Sequence, residues 1–411
     1  MRLFCSLPQV SRIDFQSITV RSIRPPRNVA VSSETRPGVL VFADGTFFEG
    51  RLFGAAPTGN GAFGEAVFQT AMSGYQEILT DPSYSGQIVC FTYPSFGNYG
   101  INKEDFESKK AWLSGVIVRD LCEIPSNFRS TMTVAEFLAE QSVTGITGVD
   151  TRAVVRKIRE GGAQTAGIFA GTGADAARLA SLVSAQPSMD GQNLVRGFDG
   201  RDANAFVSSY LQMQKIAQET LTPIAVLDFG IKYNILRELI QQGFYPQVFA
   251  GDTPLAEQGF DAAKFQGFFF SNGPGDPAVV TNGVANIREL TATGKPCLGI
   301  CLGHQMLALA LGAKTYKLKF GHHGGNQPVK ADYRKQVIIT SQNHGFAVDE
   351  ASLRAVTASD AHFEVNANDL SAEGFRIIGG RYKILSVQYH PEAAPGPRDA
   401  AIVFNEFRSL F

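Results

Sequence analysis

Cysteine is scarce in this sequence of 411 residues, which holds only Cys5, Cys90, Cys122, Cys297 and Cys301. An odd, sparse set of cysteines does not suggest a disulfide framework, and it favours a reducing compartment. No spacing resembles a zinc site, since Cys297 and Cys301 are four positions apart and His322-His323 has no thiol nearby. We therefore expect no metal site in this chain.

Long apolar runs and a large net charge are also lacking. No apolar stretch approaches the roughly 20 residues that span a bilayer. Basic residues number 37 and acidic ones 38, so no overall field attracts nucleic acid or an anionic membrane. No G-x-x-x-x-G-K-[ST] phosphate loop is present. We expect neither a membrane nor nucleic acid as a partner, and no ATP chemistry in this chain.

Residues 1–36 differ from the rest in composition. They contain six Arg, no Lys, several Ser and Thr, and only two acidic residues, Asp14 and Glu34. Organellar transit peptides have this acid-poor composition. We expect a leader that targets the chain to a plastid, with a mitochondrion as the second choice. If the segment is not a targeting signal, the cytoplasm is expected.

The length and a hydrophobic content of 44% allow two domains with sizeable cores. Over residues 37–185, short β-like runs are followed by helical stretches, which predicts an N-terminal α+β or β/α domain. The weakly patterned residues 186–222 are the expected connection between domains. In residues 223–411, short apolar runs alternate with helical segments. This pattern predicts an α/β domain with an open, mostly parallel, doubly wound sheet.

The strongest local signal is the pentapeptide 299–303, Gly-Ile-Cys-Leu-Gly, which follows a predicted strand and precedes a predicted helix. It has the G-x-nucleophile-x-G form of a nucleophile elbow, with Cys301 in the place of serine. The helix N-terminus favours a thiolate, and the N–H of Leu302 is placed to donate to an oxyanion. Cys301 is therefore the predicted nucleophile rather than a small buried hydrophobe.

A thiol nucleophile needs a base, and six histidines are available. His390 is favoured because it ends a strand-like run and begins the sequence His-Pro-Glu. Residues i and i+2 of an extended segment share a face, so Glu392 can approach His390 and fix its tautomer. His344 ranks below His390 as a base, and His304 is expected to shape the elbow.

The third signal is the turn 271–277, Ser-Asn-Gly-Pro-Gly-Asp-Pro, directly after another predicted strand. Gly273 and Gly275 allow the backbone N–H groups to approach a ligand closely. By itself this could be a tight surface turn. Its position at the end of a strand favours an oxyanion and substrate-binding loop.

Taken together, the elbow, this loop and the His-Pro-Glu end resemble the class I, or triad, glutamine amidotransferases, in the same chain order. The resemblance implies Cys301 as nucleophile, His390 as general base and acid, and Glu392 as the carboxylate that orients it. Residues 70–84 (TAMSGYQEILTDPSY) and 144–152 (TGITGVDTR) resemble the N-terminal domain of carbamoyl-phosphate synthetase small subunits. The similarity runs from about residue 37 to the end of the chain.

The family's contacts with L-glutamine, carried over by matching motifs, fall on eight positions of this sequence: Ser83, Gly273, Gly275, Leu302, Gln305, Asn343, Gly345 and Phe346. Gln305 and Asn343 would offer amides to the α-amino and α-carboxylate groups of the substrate. Ser83 would reach the site from the N-terminal domain.

The resemblance also implies a large synthetase subunit as partner, which would use ATP and Mg²⁺ to make carbamoyl phosphate for arginine and pyrimidine synthesis. No cofactor is expected in the present chain. The sequence is also compatible with two other functions: a non-catalytic subunit that keeps the fold, and a cysteine hydrolase acting on other amides or esters.

Overall fold

The structure, a computed structural model, describes residues 36–58, 60–357 and 361–411. The predicted leader therefore lies outside the described residues, apart from Arg36, which begins the first strand.

The N-terminal domain is built on a closed barrel of seven strands in the order β1-β2-β8-β6-β4-β3-β9. The strands of this domain are β1 (Arg36–Phe42), β2 (Phe47–Gly54), β3 (Ala62–Gln69), β4 (Gln87–Phe91), β5 (Ser95–Phe96), β6 (Gly115–Ile117), β7 (Asp120–Leu121), β8 (Thr144–Thr147) and β9 (Gln164–Ala170). The short strands β5 and β7 pair with each other outside the barrel. Its helices are α1 (Tyr75–Thr80), α2 (Val134–Glu140), α3 (Thr151–Gly161) and α4 (Ala176–Ser184).

Apolar residues from all seven strands of the barrel form one buried cluster, which includes Leu40, Leu52, Ala66, Ile88, Ile117, Ile146 and Ile168. Neighbouring positions such as Val39 and Val89 belong to other clusters, together with residues of the helices. This alternation follows from the two-residue period of a strand. The strands and helices expected in this region are present, but the sequence pattern did not predict that the sheet closes.

The expected connection, residues 186–222, contains a helix that the sequence reading missed. This helix, α5 (Arg201–Gln214), is four turns long. Its buried residues are Ala203, Val207 and Leu211, a narrow stripe at intervals of four. Because only one such residue occurs per turn, the apolar pattern is weak, and the helix depends on packing against α6 and β11 for its stability.

The C-terminal domain contains a nine-stranded sheet in the order β11-β10-β12-β13-β18-β17-β15-β14-β16. The strands are β10 (Thr222–Asp228), β11 (Phe244–Ala250), β12 (Gly267–Phe270), β13 (Cys297–Ile300), β14 (Thr315–Ala331), β15 (Ile338–Val348), β16 (His362–Asn366), β17 (Ala372–Gly379) and β18 (Tyr382–Val387). The helices are α6 (Tyr233–Gln241), α7 (Thr281–Thr291), α8 (Leu302–Leu311), α9 (Glu350–Val356) and α10 (Ile402–Arg408).

The sheet has two parts. Strands β11, β10, β12, β13 and β18 pair in parallel, as the α/β prediction requires. Strands β17, β15, β14 and β16 extend it through antiparallel pairs. Alternate residues of β12 lie in different cores, with Phe268 and Phe270 in one and Phe269 in the other. The parallel part is thus buried on both faces, and its carboxyl edge remains for ligands.

Within the described ranges, none of the helices combines the length and the apolar character needed to cross a membrane.

Candidate active site

The nucleophile elbow has the geometry that the sequence predicted. Cys301 connects β13 to α8 with φ 54° and ψ −108°, a backbone conformation that is rare for a residue with a side chain. A Cβ on Gly299 would lie 2.8 Å from the carbonyl oxygen of Gly303, and one on Gly303 would lie 2.2 Å from that of Phe270. Both positions therefore require glycine, and the turn aims Cys301 at the carboxyl edge of the sheet.

The thiol of Cys301 lies in a nearly closed environment, with 2% of the residue exposed. Its Sγ is 3.6 Å from the carbonyl oxygen of Asn343 on β15. The N–H of Cys301 donates to the carbonyl of Val387 at 2.9 Å, which ties the elbow to β18. Helix α8 begins at the next residue, so Cys301 occupies the N-cap position of this helix.

His390 approaches the elbow because β13 and β18 are neighbouring parallel strands, with Ile300 paired to Val387. Chain segments that leave the carboxyl ends of adjacent strands emerge side by side. The Nδ1 of His390 is 2.6 Å from the Oε1 of Glu392, so the sequence correctly predicted that these two side chains meet. The Nε2 makes no hydrogen bond of ordinary geometry, and it is the nitrogen left for the thiol.

The charges around His390 favour its protonated form. Burial alone would lower the pKa of its imidazole, but the charges of Glu392 and of a Cys301 thiolate outweigh burial and raise that pKa to about 10. Burial would likewise raise the pKa of Glu392, whereas Lys232 and His390 lower it to about 2. The site is thus arranged to hold a His390 imidazolium beside a Glu392 carboxylate at neutral pH.

Lys232 is a charged member of this site that the sequence reading missed. Its Nζ donates to the Oε1 of Glu392 at 3.0 Å and to the carbonyl of Ala393 at 2.8 Å. Both charged side chains are almost completely buried. Burial would lower the pKa of Lys232, but the negative charges of Glu392 and Asp81 raise it above its ordinary value. The only signal in the sequence was a lysine just beyond a buried strand, at the carboxyl edge of the sheet.

The charge of Glu392 should set the alkaline limit of the reaction. If the chain hydrolyses glutamine, as the resemblance implies, kcat/KM of the wild type should fall as pH rises through about 10, where His390 loses the proton that it would donate. Glu392→Gln removes the nearest charge that holds this proton, so its alkaline limb should move to lower pH. A pH profile of kcat/KM for both proteins checks this. An unchanged alkaline limb in the variant would contradict the assignment.

The loop after β12, residues 271–277, forms another part of the site. Asn272 is fully buried; its Nδ2 donates to the Oγ of Ser83 at 2.9 Å, and its Oδ1 accepts from the backbone N–H of Lys232 at 3.2 Å. A Cβ on Gly273 would lie 2.2 Å from the carbonyl oxygen of Phe229. The same Cβ would lie 2.9 Å from the Cδ2 of Leu302, so the absence of a side chain at Gly273 lets this loop lie against the elbow. Leu302, in the first turn of α8, has no carbonyl within its own helix to accept its N–H, which leaves that group for an oxyanion.

A pocket of about 410 Å³, including its open mouth, lies at Cys301. Seven of the eight positions predicted to bind glutamine line it, namely Ser83, Gly273, Gly275, Gln305, Asn343, Gly345 and Phe346. The eighth, Leu302, follows the nucleophile directly. The N-terminal domain contributes Ser83, as predicted, and also Glu65 and Gln87, which the sequence reading missed. Met189 from the connection lines the pocket too. The binding roles of these residues remain predictions.

Hydrogen bonds already made by Gln305 restrict what it can offer a ligand. Its Nε2 donates to the carbonyl of Phe346 at 2.7 Å and to the Oε1 of Gln388 at 2.9 Å. Both amide hydrogens are therefore used, and the Oε1 is left as an acceptor, suitable for an α-ammonium group. The buried Nδ2 of Asn343 has no partner among the described residues. It is a free donor, suitable for a carboxylate.

Two other histidines near the elbow are held neutral. His304 contacts the Oγ of Ser386 at 2.8 Å, and burial lowers its pKa to about 3. His344 lies beside the carbonyl of Phe346 at 2.8 Å, and burial together with nearby His322 lowers its pKa well below the usual value. A neutral imidazole within the elbow helix fits the expectation that His304 shapes the elbow, whereas His344 lines the pocket. The ranking of His344 below His390 as the base remains a prediction.

One group of described residues could hold a metal ion: the buried side chains of His322, His344 and Glu373, whose ligand atoms lie within 4.8 Å of one another. His322 already has a carboxylate at each ring nitrogen, Asp369 at 2.9 Å and Glu373 at 3.3 Å. Burial would lower its pKa, but these carboxylates raise it. His322 thus already has two carboxylate partners within the protein, and the expectation of no metal remains a prediction.

Comparison with known proteins identifies a matching family for each of the two domains. The family described as "Carbamoyl-phosphate synthase small chain, CPSase domain" matches residues 40–168, and "Glutamine amidotransferase class-I" matches residues 225–410. A protein named carbamoyl phosphate synthase small chain from Syntrophotalea carbinolica is 48% identical, and the match covers 90% of this chain and 97% of that protein. Proteins with the same name from a Nostoc species and from Thermosynechococcus vestitus are each 46% identical; the matches cover 91% and 90% of this chain, and 95% of each relative. The chain belongs to the carbamoyl-phosphate synthase small chain family.

Proposed function

We propose that this chain is the glutamine-hydrolysing subunit of a carbamoyl-phosphate synthase and that Cys301 is its nucleophile. The observation that carries the proposal is the strained Cys301 in the lining of a pocket, beside an ion-paired His390 and Glu392. The pocket also presents an acceptor on Gln305 and a donor on Asn343, which suit the two ends of an α-amino acid.

In the first half of the reaction, the Cys301 thiolate attacks the side-chain amide carbon of glutamine. The N–H groups of Leu302 and Gly273 stabilise the oxyanion that forms. The His390 imidazolium donates its Nε2 proton to the departing nitrogen, which leaves as ammonia. The product of this step is a thioester between the substrate and Cys301.

In the second half, neutral His390 takes a proton from water, and the resulting hydroxide attacks the thioester carbon. The carbon–sulfur bond breaks, glutamate is released, and Cys301 returns to a thiolate. Glu392 and Lys232 remain charged throughout. Their task is to hold His390 in one tautomer and orientation.

The ammonia is proposed to pass to a large synthetase subunit that makes carbamoyl phosphate from bicarbonate and ATP, with Mg²⁺ bound in that subunit. Free ammonia is protonated in neutral water, so the transfer requires a protected path. Arginine and pyrimidine synthesis are the proposed destinations of the product. The name shared by the relatives supports a large-chain partner.

A labelling experiment tests this proposal. With the large subunit, bicarbonate and ATP present, the nitrogen of glutamine labelled with ¹⁵N at the amide should appear in carbamoyl phosphate. Excess unlabelled ammonium in the medium should dilute the label only slightly. Glutamate release without label in carbamoyl phosphate would mean a stand-alone glutaminase. Turnover of other amides but not of glutamine would mean a different cysteine hydrolase.

Targeting of the chain to a plastid by residues 1–36 is proposed from the composition of that segment alone. N-terminal sequencing of the native protein tests it, because a cleaved transit peptide would be missing from the mature chain. An intact N-terminus would contradict the proposal.

A further inference from the structure

A segment of the N-terminal domain, residues 102–107, lies against the start of α6 in the C-terminal domain. Glu107 in this segment is 1% exposed. Its backbone carbonyl accepts from the N–H of Tyr233 at 2.8 Å, and its Oε2 accepts from the N–H of Asn234 at 2.9 Å. The first N–H groups of a helix have no partner within the helix, and Lys232 gives α6 no side-chain cap. Glu107 thus caps α6 from the other domain.

The same carboxylate also holds α6 one turn further along. The Oε1 of Glu107 is 3.0 Å from the Nη1 of Arg237. The Nη2 of Arg237 donates to the backbone carbonyls of Phe106 at 3.3 Å and of Glu104 at 3.4 Å. The start of α6 is therefore fixed at two points by one short segment of the N-terminal domain.

The start of α6, in turn, holds the turn that carries the triad carboxylate. The Nζ of Lys232 bonds to the Oε1 of Glu392 and to the carbonyl of Ala393. The Nδ2 of Asn234 donates to the backbone carbonyl of Glu392 at 2.6 Å. A continuous set of hydrogen bonds therefore runs from Glu107 through α6 to Glu392, and from there to His390.

We propose that Glu107 is a positioning residue for the catalytic triad. It acts through Asn234 and Lys232, which keep the Glu392 carboxylate at its place beside His390. This makes the N-terminal domain part of the machinery for proton transfer and not only a wall of the substrate pocket. It also gives that domain a means of controlling glutamine hydrolysis, because a shift of residues 102–107 would move Glu392 without touching the substrate. The inference rests on the proposed hydrolysis of glutamine.

A positioning role predicts a particular kinetic pattern. The pocket that receives glutamine does not include Glu107, Asn234 or Arg237, so KM should stay the same when Glu107 is changed. A displaced Glu392 would orient His390 poorly, and misplacement of about 1 Å can cost roughly 100-fold in rate. The titratable groups that face His390 are Glu392, Cys301 and His344, with Lys232 behind Glu392. Weaker contact with Glu392 should lower the pH at which His390 loses its proton.

The experiment compares Glu107→Ala, Glu107→Gln and Asn234→Ala with the wild type, in full-length protein with the large subunit present. For Glu107→Ala we expect kcat for glutamine to fall about 10- to 100-fold, KM to stay unchanged, and the alkaline limb of the kcat profile to move to lower pH. Glu107→Gln keeps an acceptor for the N–H of Asn234 and should recover part of kcat. Asn234→Ala leaves the Glu107–Arg237 pair intact but should show the same shift of the limb.

Glu104→Ala is the matched control. Its side chain belongs to the same segment, but it pairs with Arg129 at the surface instead of with α6, so kcat and KM should remain those of the wild type. If Glu107→Gln and Asn234→Ala lower only the melting temperature, with kcat and the alkaline limb unchanged, Glu107 is merely structural and the inference is wrong. Failure of the proposed function itself would look different, since the wild type would then release no glutamate.

Discussion

Replacing Cys301 with serine should lower glutamine hydrolysis by about 1,000-fold or more, because a hydroxyl is far less ionised than a thiol at neutral pH. Serine is close to cysteine in size and keeps the backbone of the elbow. The large subunit should therefore still make carbamoyl phosphate from added ammonium when it is combined with this variant. Glutamate release and carbamoyl phosphate formation, measured in the same sample, separate the two activities.

The chain provides a matched control for this substitution in Cys297, which lies on β13 four residues before the nucleophile. It is also fully buried, and burial raises its pKa, so it is an unreactive thiol. Cys297→Ser should cost some stability and leave the glutaminase rate near that of the wild type. Equal glutamate release by Cys301→Ser and the wild type would contradict the assigned nucleophile, and no release above background by either protein would favour a non-catalytic subunit.

Replacing Lys232 with methionine should have the largest effect on stability. The substitution keeps an apolar stem of similar length but leaves the Glu392 charge buried without its cation. Breaking a buried pair in this way costs about 3–5 kcal/mol. The kcat should fall as well, because part of the Glu392 population would be protonated and could no longer orient His390. Chemical denaturation gives the free energy of unfolding, and the glutaminase assay gives kcat.

The loss of stability in Lys232→Met should depend on pH in a defined direction. The pKa of Glu392 is depressed from 4.5 to about 2, so its stabilising effect is fully present above pH 4.5 and is lost as the pH falls towards 2. The stability difference between the wild type and Lys232→Met should shrink over the same interval. Adding Glu392→Gln to Lys232→Met should recover part of the lost stability, since no uncompensated carboxylate remains. A loss that is independent of pH and unaffected by Glu392→Gln would mean that Lys232 contributes packing alone.

The sequence predicted those parts of the site that depend on local geometry. The glycines on either side of Cys301 indicated a sharp turn, and the structure shows that a Cβ at either position would collide with the neighbouring backbone. The spacing of His390 and Glu392 indicated a shared face, and the two side chains are 2.6 Å apart. In both cases the residues that determine the geometry lie within five consecutive positions, so a single sequence is enough to predict it.

Features that depend on distant partners were not predicted. Lys232 and Glu392 are 160 positions apart, and no periodicity in the sequence shows that they meet. Glu65 and Gln87 reach the pocket because the barrel closes and lies against the C-terminal sheet. Both the closure and this contact depend on packing between strands that are distant in the sequence. Helix α5 was missed because its buried stripe has only one residue per turn. Each of these needs tertiary structure, which local pattern does not contain.

The proposed hydrolysis requires Cys301 to form a covalent bond to the side-chain carbonyl carbon of glutamine. A chloroketone analogue of glutamine, in which an alkylating carbon follows that carbonyl, tests this most directly, with mass spectrometry of the digested protein to locate the label. We expect one modified residue, Cys301, with loss of glutaminase activity in proportion to labelling and protection by glutamine. Labelling elsewhere, or labelling of Cys301 that glutamine does not prevent, would contradict it.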